Sequence, residues 1–140
     1  MNDYRYEEIE IGTEEKFEVI ITKEMMEKFK DITGDVNPLH CDKEFAALQG
    51  YPSEVVYGML TASFYSTLGG VYLPGKYCLI HSIEVKFSSP VYIGDRLLIE
   101  GKVTEKNDIF QFLTIKVTIR NQHGKKVSRG IMKAGVQNAG

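Results

Sequence analysis

Val55-Val56-Tyr57-Gly58-Met59-Leu60-Thr61-Ala62-Ser63-Phe64-Tyr65-Ser66-Thr67-Leu68-Gly69-Gly70-Val71-Tyr72-Leu73-Pro74-Gly75 contains no charged residue. A run this long has the reach to cross a bilayer. Its tyrosines, its serines and threonines and the Gly69-Gly70 pair make it too polar for that. A helix with apolar groups on nearly every side of a water-soluble chain is one enclosed by protein. The run therefore predicts a buried central helix from Gly58 to Leu68, and the remaining sequence is read as what encloses it. Gly58, near the start of that helix, leaves a backbone amide with no side chain over it.

C-terminal to this run the apolar period becomes two. Ile83, Val85 and Phe87 alternate with Glu84, Lys86 and Ser88; Leu97, Ile99 and Val103 with Glu100, Lys102 and Thr104; Leu113, Ile115, Val117 and Ile119 with Thr114, Lys116, Thr118 and Arg120. Each strand has one wet face. Gly94-Asp95, Asn107-Asp108 and His123-Gly124 supply reversals suited to antiparallel hairpins, and a last strand is predicted from about Lys126 to Val136. An antiparallel sheet with one apolar face and one enclosed helix is satisfied when the sheet curls around the helix, an α+β arrangement.

On the N-terminal side, Phe17, Val19 and Ile21 predict a short strand. Thr22 is placed to cap a helix from Lys23 in which Met25, Phe29 and Ile32 share a face and which Gly34 stops. Asp42 is placed to cap a shorter helix through Leu48, closed by Gly50. Between them runs Gly34-Asp35-Val36-Asn37-Pro38-Leu39-His40. Proline and the residue before it disfavour helix, so Gly34 to Leu39 predicts an irregular turn. On a continuous helix Asp35 and His40 would diverge, whereas a turn can bring both to one pocket. A carboxylate and an imidazole together are suited to moving protons near neutral pH. The rival reading is an Asx-type turn in which Asp35 and Asn37 only satisfy loop amides and His40 lies on the surface. Spacing alone leaves both open. A calcium loop is excluded, because its sixth and twelfth positions would be His40 and Ala46 instead of glycine and glutamate.

Composition narrows the partners. The 140 residues are 43% apolar, enough for one domain with a real core. A formal net charge of −2 without a dense basic window argues against nucleic acid or an anionic membrane as the main partner. Cys41 and Cys78 have neither metal-binding nor redox spacing and read as reduced thiols. The acidic, polar stretch Met1 to Glu8 does not resemble a leader peptide, so a cytoplasmic protein is expected.

The order of elements resembles the hotdog fold. Gly34-Asp35-Val36-Asn37-Pro38-Leu39-His40 with Ala46 resembles the signature of the MaoC-like, R-specific enoyl-CoA hydratases. Val56-Tyr57-Gly58-Met59-Leu60 and the segment from Phe87 to Asp95 resemble that family's central-helix opening and strand-turn segment, so the likeness spans nearly the whole chain. It implies a single hotdog domain over residues 1–140, with the sheet wrapped around the central helix. The implied activity is addition of water to a trans-2-enoyl thioester, giving the R-3-hydroxyacyl thioester, or the reverse dehydration. By the same resemblance Asp35 and His40 would activate one water, the Gly58 amide would stabilise the thioester enolate, and Asn37 would support the turn. Ser66 matches a serine near the acyl site, with a helical back-bond as its alternative. Phe29, Leu48, Met59 and Leu73 are candidates for the acyl pocket. Tyr57 stands where the family often has histidine.

The family implies no metal or organic cofactor; coenzyme A or an acyl carrier protein would arrive as part of the substrate. It also implies a homodimer, or a dimer of dimers, with sheets continuing across the interface. His81 and His123 are read as ordinary. Three alternatives keep the fold: a carrier-protein or polyketide-type dehydratase, a hotdog acyl thioesterase, and a non-catalytic acyl-binding subunit. The thioesterase would want a carboxylate on or just ahead of the central helix, where Glu54 is the candidate.

Overall fold

Five antiparallel strands form one sheet in the computed structural model, which describes residues 1–138. They are β1 (Glu14–Ile20), β2 (Cys78–Phe87), β3 (Arg96–Asn107), β4 (Phe112–Arg120) and β5 (Lys126–Val136), paired in the order β1-β3-β4-β5-β2. The alternation in the sequence decides which side chains leave the water. Leu97, Ile99 and Val103 of β3, Leu113, Ile115, Val117 and Ile119 of β4, and Met132 and Ala134 of β5 are fully buried. Against them lies α4 (Gly58–Thr67), the helix predicted from the uncharged run, which buries Leu60, Thr61, Ala62 and Tyr65. Burying each large side chain stabilises the fold by about 1.5–3 kcal/mol. The sheet accommodates the helix's bulk with missing side chains of its own. A Cβ at Gly130 would collide with the Glu84 carbonyl oxygen and the Tyr65 hydroxyl, and one at Gly101 with the Leu68 methyls.

Enclosure of α4 is incomplete, which corrects the expectation of a helix surrounded on all sides. β2 is an edge strand, and its inward-pointing Ile83 and Phe87 are 44% and 52% exposed. On the same side of the molecule Met59 is 64% exposed, and Ser63 and Ser66 are exposed as well.

Three α-helices precede α4. α1 (Lys23–Thr33) starts where the Thr22 side chain accepts the Met25 N–H and stops where Gly34 takes a left-handed φ of 71°, a conformation that costs a glycine little. It packs through Met25, Met26 and Phe29; Ile32, expected on that face, is 83% exposed in the last turn. The turn expected to stay irregular up to Leu39 instead becomes α2 (Pro38–Cys41). Proline at the first helical position needs no N–H and has the right φ already, and Asn37 caps the helix by accepting the Leu39 N–H. α3 (Lys43–Leu48) is capped by Asp42, which accepts the N–H groups of Glu44 and Phe45. Among the described residues no helix is long and apolar enough to cross a membrane.

Candidate active site

The end of α1, the loop into α2 and the first turn of α4 meet along the open side of the molecule. They border a groove of about 560 Å³, with Asp35, His40, Tyr57 and Gly58 at its polar end and Phe29, Met59, Ala62, Ile83 and Phe87 lining the rest. A second depression, of about 370 Å³, lies on the outer face of the sheet among Glu14, Lys16, Glu100, Lys102, Lys116 and Arg120. Its lining is a set of solvated charges without an imidazole, so the groove beside α4 is the chemical candidate.

Local hydrogen bonding holds Asp35 in place. Its N–H donates to Thr33 Oγ1 at 3.2 Å, and its Oδ1 accepts the Asn37 N–H at 3.1 Å; Asn37 Oδ1 in turn accepts the Leu39 N–H at 3.0 Å. The Asx-type turns of the rival reading are therefore present. They consume one carboxylate oxygen of Asp35, and Oδ2 has no partner among the described residues. The turn chemistry therefore does not exclude a chemical role for Asp35.

His40 is half-buried on α2, not loose on the surface. Its Nδ1 lies 2.6 Å from the Val55 carbonyl oxygen. A carbonyl only accepts, so Nδ1 carries hydrogen, and in the neutral ring Nε2 is left as the acceptor. Val55 is itself tied to α2, because its N–H donates to the Leu39 carbonyl at 3.1 Å. Among the described residues no ion pair or direct hydrogen bond joins Asp35 to His40, and both line the groove.

Gly58 opens α4, where the first N–H groups of any helix lack intrahelical acceptors and the dipole is positive. The preceding Tyr57 provides no side-chain cap, and although its carbonyl accepts the Leu60 N–H at 3.0 Å, the Gly58 and Met59 N–H groups have no acceptor among the described residues. A Cβ at Gly58 would lie 3.2 Å from the Phe87 ring, which packs flush against the bare backbone.

Tyr57 is the residue whose contribution sequence reasoning did not reach. It is 2% exposed, and its hydroxyl donates to the Asp35 carbonyl at 2.7 Å and stands 3.3 Å from Cys41 Sγ. Its ring centroid is 4.3 Å from that of His40 and 4.8 Å from that of Phe29. Burial first, then the contact with Cys41, pushes the phenol well above the ordinary tyrosine range, so it remains a neutral donor at physiological pH. Ile83 and Phe87 were also missed as lining residues, because their alternation is the same as that of core strands.

The other candidates separate. Phe29 and Met59 line the groove, and Asn37 holds the loop. Ser66 is exposed one turn beyond Ser63, outside the groove, and Ser63 takes the lining position. Leu48 is 83% exposed on α3, and Leu73 is fully buried in the core, so neither reaches the groove. His81 packs edge-on to Phe112, 5.7 Å between centroids, and His123 sits exposed in the hairpin before β5. Among the described residues no three His, Cys, Asp or Glu side chains are grouped so as to share a metal ion.

Known proteins provide the comparison. A family model described as "MaoC like domain" matches residues 7–127. The (R)-specific enoyl-CoA hydratase of Aeromonas caviae is 36% identical over 96 residues, 69% of this chain and 72% of that protein. The 3-hydroxybutyryl-CoA dehydratase of Methylorubrum extorquens is 33% identical over 100 residues, 71% of this chain and 64% of that protein. Among solved structures, the R-hydratase PhaJ1 of Pseudomonas aeruginosa, in its unliganded form, superposes with a TM-score of 0.91 at 27% identity, covering 97% of this chain and 87% of that one.

Proposed function

This chain belongs to the MaoC-like domain family, and from that premise we propose that it hydrates trans-2-enoyl thioesters to R-3-hydroxyacyl thioesters, or catalyses the reverse dehydration. The observation that carries the residue assignment is one groove bordered by a free carboxylate oxygen, a ring nitrogen fixed by its tautomer, and an unclaimed helix amide.

In the forward direction a water held between Asp35 and His40 adds its oxygen to the β-carbon. One of its protons passes to the pair, and the pair returns a proton to the α-carbon, so no net proton is consumed. As the β-carbon is attacked, negative charge moves onto the thioester oxygen. The Gly58 N–H, at the positive end of α4 and on the lining of the groove, would donate to that oxygen. One preorganised donor of this kind supplies about 3 kcal/mol, and positioned acid–base groups supply on the order of 10²–10⁴ in rate. The apolar lining from Phe29, Met59, Ile83 and Phe87 suits the acyl chain. Coenzyme A or an acyl carrier protein would be part of the substrate, and cytoplasmic residence, with both thiols reduced, fits the same proposal.

Loss of enoyl absorbance without release of free thiol, on a trans-2-enoyl thioester, is the expected result for the parent protein. Asp35→Asn should lower kcat by roughly 10²–10⁴ while the protein stays folded. Undiminished turnover in that variant would remove the assignment. Thiol release with the enoyl group intact would favour a thioesterase instead. The exposed apolar edge at β2 further supports a homodimer in which a second copy lies along that strand. Sedimentation should then find a dimer for the parent and a folded monomer for Ile83→Lys; a monomeric parent at micromolar concentration contradicts the pairing.

A further inference from the structure

The Tyr57 phenol sits where three pieces of chain meet, yet the hydration chemistry makes no use of it. Asp35 belongs to the loop after α1, Cys41 to α2, and Tyr57 to the residue before α4. The phenol has one hydrogen and two polar neighbours. The Asp35 carbonyl can only accept, so the hydrogen goes there at 2.7 Å. The phenol oxygen is then the acceptor facing Cys41 Sγ at 3.3 Å, and the thiol S–H is its donor.

Range distinguishes this bond from the others at Asp35. The N–H and Oδ1 of Asp35 bond to Thr33 and Asn37, two residues away on either side, and these bonds travel with the loop if it shifts. The bond from Tyr57 spans 22 positions and anchors the exposed aspartate to the buried helix start. The same side chain also packs on the imidazole, ring centroids 4.3 Å apart and planes tilted by 30°, with Phe29 backing it at 4.8 Å.

We propose that Tyr57 is the positioning residue of the hydration site, fixing the backbone of Asp35 through its hydroxyl and the plane of His40 through its ring, so that the two groups keep one separation. The proposal rests on the assignment of the chemistry to Asp35 and His40, and its test keeps the two claims apart. Tyr57→Phe preserves both ring contacts and deletes only the hydroxyl. Loss of alignment between reacting groups is expected to lower kcat on the order of 10-fold to 100-fold. KM should change less than about threefold, because the apolar lining that holds the acyl chain is untouched. The limbs of the pH–rate profile should also move, since proton exchange between the two groups and the reacting water depends on their separation. A residue that only fills space would leave those limbs where they are.

Cys41 supplies an independent arm from an exposed position on α2. Cys41→Val, which cannot donate, should lower kcat more than Cys41→Ser, which can. If Tyr57→Phe does not fold, this ordering carries the test alone. Parental kcat and pH limbs in Tyr57→Phe, or equal rates in the two Cys41 variants, overturn the proposal while Asp35→Asn remains inactive. An active Asp35→Asn overturns the underlying assignment and this inference with it.

Discussion

Strands β4 and β2 both aim alternate side chains at α4, β2 after the irregularity between Ile80 and Ser82. On β4, Leu113, Ile115, Val117 and Ile119 are fully buried, whereas on β2, Ile83 and Phe87 are 44% and 52% exposed. The difference lies in position and not in composition, for β4 has β3 and β5 on either side and β2 has a neighbour on one side only. A covered apolar face contributes to stability. An uncovered one, bordered by Asp35, His40 and the start of α4, is left as a groove. Core and site are thus made from the same alternation, and the site is where the enclosure stops.

Substitution in the covered half should break the fold first. Ile115→Ala removes a fully buried side chain from the middle of the sheet and leaves a cavity, at a cost of about 2–5 kcal/mol. The matching truncation in the open half, Phe87→Ala, removes a half-exposed ring and should cost less than about 1 kcal/mol of stability in the single chain. Its effect should fall on catalysis instead, because that ring packs against Gly58 and forms a wall of the groove. A loss of roughly 10-fold in kcat/KM is expected. Denaturant melts of both variants beside their kinetics make the comparison. Equal destabilisation by the two would show that the open half is as much core as the covered one.

The fold was legible because its signals are local and mutually consistent. Thr22, Gly34 and Asp42 mark helix ends by side-chain chemistry that needs no distant partner, and the last strand runs from Lys126 to Val136 as its pattern indicates. Proline misled in one place. Pro38 was read as excluding helix, but at the first helical position it begins α2, and that short helix sets the direction of His40. Asp35, His40 and Gly58 were legible as chemical types at telling positions. Their setting was not, because the Val55 carbonyl and the Tyr57 hydroxyl act across 15 and 22 positions of sequence. Leu48 and Leu73 failed as pocket candidates for a related reason. Hydrophobicity does not say whether a leucine faces solvent, core or groove, and here one is 83% exposed and the other fully buried.

β2 also contains the contrast within itself, and its first residue gives the smallest test. Cys78 Sγ lies against the helical turn that follows α4 (Leu68–Tyr72), 3.1 Å from where a Cβ on Gly69 would be, and burial pushes its thiol from 9.0 up to about 11. Cys41, on α2, is exposed. Since the thiolate is the reactive form, a thiol reagent at pH 8 should modify Cys41 rapidly and Cys78 slowly in the native protein. The same shift has a sign for stability. Below about pH 9 both folded and unfolded states keep the Cys78 proton, so its contribution is fully present; between about 9 and 11 the unfolded state ionises first, and that contribution is lost as pH rises. Unfolding measured across this window should therefore show stability falling less steeply when Cys78 is replaced by alanine. Equal labelling of the two thiols at pH 8 would mean that the strand is open along its whole length and that the groove has no covered end.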